Sequence, residues 1–385
     1  MSKIIFKTYK AIDFCDDVRD GTHDSPKHLD FGKILITSKN IKDNYIDFTN
    51  VSYISEEDYN KINERSLVEK NDILYSMIGT VGLIYRVEEH PNYAIKNMGL
   101  FKISDELKSK WLYYYLSSPK AKKDVVSKLN GSTQKFISLN NLRGLEIRFP
   151  EDVSNAKRII KVLEIINKKI KLNNEINNNL YEIGDNLYNE YFGKHKDNLT
   201  FDYKIVKLNE VADNYDSKRK PLSSREREQH RGIYPYYGAT SIIDYVDNYI
   251  FDDTYLLMGE DGTVKTDDGY PVLQYIWGKN WINNHAHVLK GKNISTELLM
   301  FALRKINIEN IITGAVQPKI NQENMNKIEI VIGSDSKNKE LEIILKNLMD
   351  KSKNIIEENK KLKQLRDTLL PKLINGEIDL DNIEI

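Results

Sequence analysis

Residues 131–147 read GSTQKFISLNNLRGLEI, and residues 314–330 read GAVQPKINQENMNKIEI. The two align without a gap at an offset of 183 residues, with Gly131/Gly314, Gln134/Gln317, Ile137/Ile320, Asn141/Asn324, Glu146/Glu329 and Ile147/Ile330 identical. A second pair, DILYSMIGTVG (72–82) and DTYLLMGEDGTVK (253–265), matches once two residues are inserted in the later copy. Gly79-Thr80-Val81 then falls on Gly262-Thr263-Val264, again 183 apart. Two anchors that keep one offset and the same 52-residue spacing argue for duplication of a whole domain. A period this long excludes a solenoid, whose repeats run to about 20–50 residues.

A different kind of sequence follows each copy. Between 154 and 192, Ile159, Leu163, Ile166, Ile170, Leu180, Leu187 and Tyr191 recur in steps of three and four, with Asn173, Asn177 and Gly184 completing the seam. Between 338 and 373, Leu341, Leu345, Leu348, Ile355, Leu362, Leu369 and Leu373 do the same, interrupted by Ser352, Asn359 and Arg366. This is the heptad of a coiled-coil seam. Each helix spans roughly 50–60 Å at 1.5 Å per residue, and Pro371 marks the end of the second. The polar interruptions predict a locally loosened pair. In the globular parts, DILYSM, GLIYRV, YAIKNMGLFKI and YLLM predict strands, while ELKSKWLYYYLSS and STELLMFALRK predict helices at equivalent places. The expected fold is therefore α+β. Two tandem mixed α/β domains, 1–150 and 195–333, are each followed by a long helix, 151–194 and 334–385, and the helices pair antiparallel as a spacer between the two heads.

Composition removes several function classes. The chain has 57 basic and 57 acidic side chains, so whole-molecule charge does not argue for nucleic acid. A single Cys15 excludes a disulfide framework and fits a reducing cytoplasm. No apolar run reaches membrane-spanning length. None of the nine prolines is adjacent to another, so the Pro-Pro-aromatic motif of amino-methyltransferases is missing. There is no Gly-Lys-Ser/Thr phosphate loop. Glu106-Leu107-Lys108 has the form of a nuclease motif but lacks a Pro-Asp partner, and reads as a solvated helix start. His285 and His287 share a strand face and Glu260-Asp261 sits in a glycine turn. Neither pair reaches the three or four ligands a metal site needs.

What remains is binding chemistry. Residues 217–238 carry Lys218, Arg219, Lys220, Arg225, Arg227 and Arg231 beside Tyr234, Tyr236 and Tyr237. In the first copy Lys120, Lys122, Lys123, Lys128, Lys135 and Arg143 face only Asp124 and Glu146 between 119 and 147. Cations beside aromatics and polar loops suit phosphate contacts and base-edge readout. Gln134 and Gln317 could each hold an adenine edge bidentately; capping of a turn explains them equally well.

VRDGTHDSPK (18–27), YPYYGATSIIDYVDNYIFDDTYLLMGEDG (234–262) and LRDTLLPKLINGEI (365–378), with the duplicated loop, resemble the specificity subunit of type I restriction–modification systems. The resemblance implies a non-catalytic chain whose two target recognition domains each read half of a bipartite double-stranded DNA site. The helices would dock two modification (methyltransferase) subunits. Those partners would hold S-adenosylmethionine, share the neutralisation of phosphate and flip out the adenine they methylate; this chain would bind no cofactor. Restriction and translocase subunits could join them. The DNA-contacting candidates are then Thr22, His23, Lys27, Thr80, Ser132, Thr133, Gln134 and Lys135 in the first half, and Lys218, Arg219, Lys220, Arg225, Arg227, Tyr236, Tyr237, Thr263, Gln317 and Lys319 in the second. The competing expectation is a coiled-coil adaptor whose heads hold proteins.

Overall fold

The computed structural model describes residues 4–42, 45–131, 134–195, 202–314 and 317–378. They divide into two compact units, one comprising 1–171 and 359–385, the other 172–358. Each contains one globular domain together with segments of both long helices, Val153–Tyr191 and Asp335–Asn375.

In the first unit the strands Asp17–Asp20, Met98–Lys102, Ile73–Ser76 and Ile84–Arg86 form one antiparallel sheet in that order. Ser52–Ile54, Lys33–Ile36 and Tyr93–Ile95 form a second sheet, the last pair parallel. Phe6–Lys10 and Glu146–Pro150 close the domain as a two-stranded ribbon. The stretch YAIKNMGLFKI, expected as one strand, is two strands divided at Asn97, which has φ +55°. That turn lets one segment serve both sheets. The helix Glu106–Ser117 starts at Asp105, whose side chain accepts from the Lys108 N–H. It buries Trp111 between Phe6 and Phe149, and the indole N–H donates to the Arg148 carbonyl at 2.7 Å. Ile159, Ile160 and Leu163 of the first long helix join this core with Leu370, Leu373 and Ile374 of the second. Those last residues explain why the helix runs through Pro371 to Asn375 instead of ending there. The loss of one backbone donor is offset by apolar burial of the final turn.

The second unit repeats the plan. Ala212–Asn214, Ala286–Gly291, Tyr255–Gly259 and Leu273–Ile276 form the antiparallel sheet. Ile242–Val246, Arg231–Tyr237, Lys279–Ile282 and Phe251–Asp252 form the mixed one, and Tyr203–Lys207 with Glu329–Gly333 the ribbon. Thr296–Leu303 is apolar nearly all round and buried at every position, as such a helix must be. Here Tyr191 donates to Glu340 and Asn173 to Glu358, so the two helix segments run antiparallel. The interruption at Gly184 is a close approach rather than a loosening. A Cβ there would lie 2.2 Å from the Phe301 ring, which packs onto the bare backbone. Asn173 is also buried and hydrogen-bonded.

Candidate nucleic-acid interface

The repeated loop has the same construction in both domains. Asn130 and Phe136 exchange two backbone hydrogen bonds of 2.8 and 3.0 Å, as do Thr313 and Lys319 at 2.8 and 2.8 Å. Gly131 and Gly314 sit at φ +88° and +87°, and a Cβ on either would lie 2.3 Å from the carbonyl oxygen of Gln134 or Gln317. Only glycine fits that bend. The next residues anchor the loop to the sheet: the Ile137 N–H donates to the Met77 carbonyl at 2.9 Å, the Ile320 N–H to the Glu260 carbonyl at 2.8 Å, and both isoleucines are buried. Ser138 and Asn321 then cap short helices. The Asn141 amide donates to the Lys128 carbonyl and the Asn324 amide to the Ile311 carbonyl. Glu146 and Glu329 stand opposite Lys10 and Lys207 in the closing ribbons. Ile147 and Ile330 are buried in the two cores, so every identical letter of the repeat has a structural task except the glutamines. The side chains of Gln134 and Gln317 are exposed, and neither bonds to a described residue. The turn is held by backbone, not by these amides.

The second anchor meets the first in space. Ile78 bridges Phe136, Asp261 bridges Lys319, and the Gly262 N–H donates to the Pro318 carbonyl. Gly79 and Gly262 again adopt positive φ, and Thr80 and Thr263 are exposed beside them. These hydrogen bonds keep the offset at 183 from Ile73/Leu256 onward, so the two-residue insertion inferred from the sequence is wrong. Met77 corresponds to Glu260, and Met258 to Tyr75; matching the methionine letters misled the alignment.

With that register, Gly99 corresponds to His287 and Asp20 to Asp216. A closed ionic cluster occupies these places in the second domain. His287 donates to Asp216 at 2.6 Å and, from the other ring nitrogen, to the Ile320 carbonyl at 2.8 Å. Arg219 bridges Glu260 at 2.6 Å and Asp216 at 3.4 Å and also donates to the Ala286 carbonyl. Lys319 reaches Glu260 at 3.2 Å, and His285 pairs with Asp261. Burial by itself would raise the carboxyl groups of Asp216 and Glu260. His287 on Asp216, and Arg219, His287 and Lys319 around Glu260, hold both below the usual range instead. The histidine pair and the acidic pair noted in the sequence are therefore each other's partners. Asp216, Glu260 and His287 have donor atoms within 4.8 Å of one another, but Arg219 already occupies that space as counter-ion.

The first domain has an open version. Asp20 is buried and accepts from His23 at 3.0 Å and from Arg65, the latter on the last turn of the helix Glu56–Ser66. The other His23 nitrogen faces the Asn97 side-chain oxygen at 2.8 Å. The contacts to Asn97 and then Asp20 raise the His23 pKa.

The remaining candidates divide by exposure. Lys27, Thr80, Gln134, Lys135, Lys218, Lys220, Arg225, Thr263, Gln317 and Lys319 are exposed, and Thr22 is half-buried. Ser132 and Thr133 lie outside the described residues. Three expectations are corrected. Tyr236 is 1 % exposed and its hydroxyl accepts from the Leu222 N–H, so it is core. Arg219 is fixed in the cluster just described. Arg227 stacks on Tyr236 and binds Asp244 and the Leu222 carbonyl, so it braces its own loop. Tyr237 is partly buried, and that burial pushes its hydroxyl up to about 12. In the first copy, Arg143 donates inward to the Val18 carbonyl. The residues missed were Asp20, Arg65 and Asn97. VRDGTH contained Asp20, whereas Arg65 sits in an ordinary charged helix that carries no signal.

The family model for the Type I restriction modification DNA specificity domain matches residues 27–182 and again 201–366. The chain belongs to this family. A Haemophilus influenzae protein named as a type I restriction enzyme specificity subunit is 34% identical over 146 residues, 36% of this chain and 37% of that one. The type I restriction enzyme EcoBI specificity subunit of Escherichia coli is 26% identical over 180 residues, 46% of this chain and 35% of that one. These alignments span little more than a third of either relative. The crystal structure of a type I restriction–modification system S subunit from M. genitalium superposes with a TM-score of 0.54 at 17% identity, covering 97% of both chains, which establishes a shared fold. No helix among the described residues is long and apolar enough to cross a membrane.

Proposed function

We propose that this chain is the DNA sequence-specificity subunit of a type I restriction–modification complex. Each domain reads one half of a bipartite duplex site, and the chain itself is not catalytic. It works with two modification subunits that carry S-adenosylmethionine; restriction and translocase subunits are further partners. The observation that carries this reading is the duplicated loop pair. In each domain a loop closed by two backbone hydrogen bonds carries one exposed glutamine amide that bonds to no described residue, with Thr80 or Thr263 on the adjoining loop and Lys135 or Lys319 alongside. An amide has the donor–acceptor pair that an adenine edge requires, while the lysines supply phosphate neutralisation. Lys27 in the first domain and Lys218, Lys220 and Arg225 in the second extend the cationic surface. Gel-shift titration with the modification subunits should give salt-sensitive binding selective for one bipartite sequence. Equal affinity for every duplex would overturn the reading, as would capture of a protein partner with no duplex bound.

A further inference from the structure

Beside its buried acid the first domain exposes a guanidinium, whereas the guanidinium beside the corresponding acid of the second domain is enclosed. Arg65 is 61% exposed although the carboxylate that anchors it, Asp20, is only 7% exposed. Its backbone is held as well: the Arg65 carbonyl accepts from Arg19 at 3.0 Å, and Arg19 is itself steadied by Asp17 at 2.6 Å. One side-chain N–H is committed to Asp20. A guanidinium has five, so a two-donor edge remains for a partner. Arg65 lines a cleft of about 480 Å³ together with Thr22, His23, Asp24, Asp58 and Lys61.

We propose that Arg65 is a specificity-determining residue of the first domain and takes the acceptor edge, O6 and N7, of a guanine in its half-site. This rests on the DNA-reading function proposed above. Two acceptors side by side are what a fixed guanidinium fork matches best. The cleft itself favours a base over a phosphate. Its lining includes Asp24 and Asp58 as well as Lys61 and Arg65, and Asp20 already neutralises Arg65, so it exerts little net pull on an anion, yet it holds one anchored fork. Anchoring to a buried carboxylate removes most of the rotamer freedom that binding would otherwise have to freeze. In the second domain the corresponding acid, Asp216, engages Arg219, whose side chain is 12% exposed and fully engaged within its own domain. Among the described residues, that cluster exposes no such fork.

The test is selection from a random duplex pool by the full-length chain with its modification subunits, followed by sequencing of the bound fraction. Wild type should return a bipartite motif with a fixed guanine in one half. Arg65→Gln and Arg65→Lys should both relax that single position and weaken binding to the original site by about five- to a hundred-fold. The other half should be unchanged. Lys keeps the charge but loses the fork, so it separates base readout from phosphate contact. Unaltered selectivity in Arg65→Lys, or uniform weakening over all sequences with a shallower salt dependence, would make Arg65 a phosphate contact and overturn the proposal. So would a wild-type motif whose every position survives Arg65→Gln. Absence of any bipartite motif in wild type would instead sink the function on which it rests. Arg65 is exposed, and an unchanged melting temperature confirms that each variant is folded.

Discussion

The two domains share a backbone plan but handle the corresponding acid differently. Asp216 faces Arg219 and His287 inside a filled cluster in which Arg219, His287 and Lys319 each pair with Asp216 or Glu260. Asp20 holds His23 and Arg65 at the rim of an open cleft. The divergence traces to two positions in the sheet. Where the second domain has Glu260 and His287, the first has Met77 and Gly99, and a Cβ on Gly99 would already lie 2.6 Å from Leu142. A second ionic layer therefore has no room in the first domain. Duplication supplied a common frame, and substitutions beneath the loops decided which cations remain available at the surface. This supports the half-site reading proposed above.

The comparison breaks most sharply if the buried layers are exchanged. Met77→Glu would place a carboxylate at a site 5 % exposed among apolar neighbours and without a cation. Asp216→Ala would leave Arg219 and His287 with one acid fewer. The first should cost about 3–5 kcal/mol, the usual penalty for an uncompensated buried charge; the second, where Glu260 still pairs with Arg219, should cost about 1.5–3 kcal/mol for the lost charge-assisted hydrogen bonds. Hydrogen exchange is the suitable measurement, because it reports each domain separately. Protection should collapse around 73–77 in the first variant and around the Val288 amide, which donates to Asp216 at 2.8 Å, in the second. Loss of protection in the unmutated domain would contradict the view that each unit holds its own cluster.

The shared part should respond equally in both copies. Gly131→Ala and Gly314→Ala force a side chain into positive φ and against a carbonyl oxygen 2.3 Å away. About 1–3 kcal/mol is expected from the conformation, and the contact requires Gln134 or Gln317 to move. Each variant should lose selectivity in one half-site only. Unequal stability effects, measured by the same exchange method, would show that the two loops are not equivalent.

Gln134→Ala and Gln317→Ala sharpen this point, because they remove the side chain and leave the turn. Stability should change by no more than about 0.5 kcal/mol. Binding should weaken by about 1–3 kcal/mol, with the loss confined to one base position. A fall in stability comparable to the glycine variants would return the glutamines to a capping role.

Much of this plan was legible in the chain. The offset of 183 gave the duplication, and glycine, isoleucine and asparagine at fixed places in the repeat turned out to be the bend, the core plug and the tether. The heptad steps gave both long helices, because periodic apolar positions specify a helix whatever it packs against. Ionic neighbours were not legible. Asp216 meets His287 across 71 residues, and Arg65 meets Asp20 across 45, separations that no local pattern encodes. The same limit explains the errors. Arg219, Arg227 and Tyr236 lie in a stretch rich in cations and tyrosines, but composition cannot tell a cation that faces solvent from one that braces its own loop. Gly184 looked like a fault in the seam because Phe301, which fills it, lies far along the chain.

The smallest effect concerns pH and again separates the domains. The pKa of His23 is raised above its ordinary value of 6.5, chiefly by the Asn97 side chain and then by Asp20. A group with a raised folded-state pKa binds its proton more tightly in the native state. Its stabilisation is complete below about 6.5 and disappears as pH rises through the elevated folded value. The His23 side chain is 58% exposed, so solvent screens the interaction and the change should be slight. It should be seen where His23 holds the Asp20–Asn97 junction. The Thr22 N–H donates to the Ile95 carbonyl and the Asn97 N–H to the Thr22 carbonyl. Exchange of these two amides, corrected for intrinsic rates, should become more frequent as pH rises past about 6.5. The Leu208 amide of the second domain, which donates to the Ile328 carbonyl, serves as the reference. In His23→Gln the difference between the two sites should no longer vary with pH. A pH dependence that survives the substitution would place its origin in another group and remove His23 from the first cleft's distinguishing features.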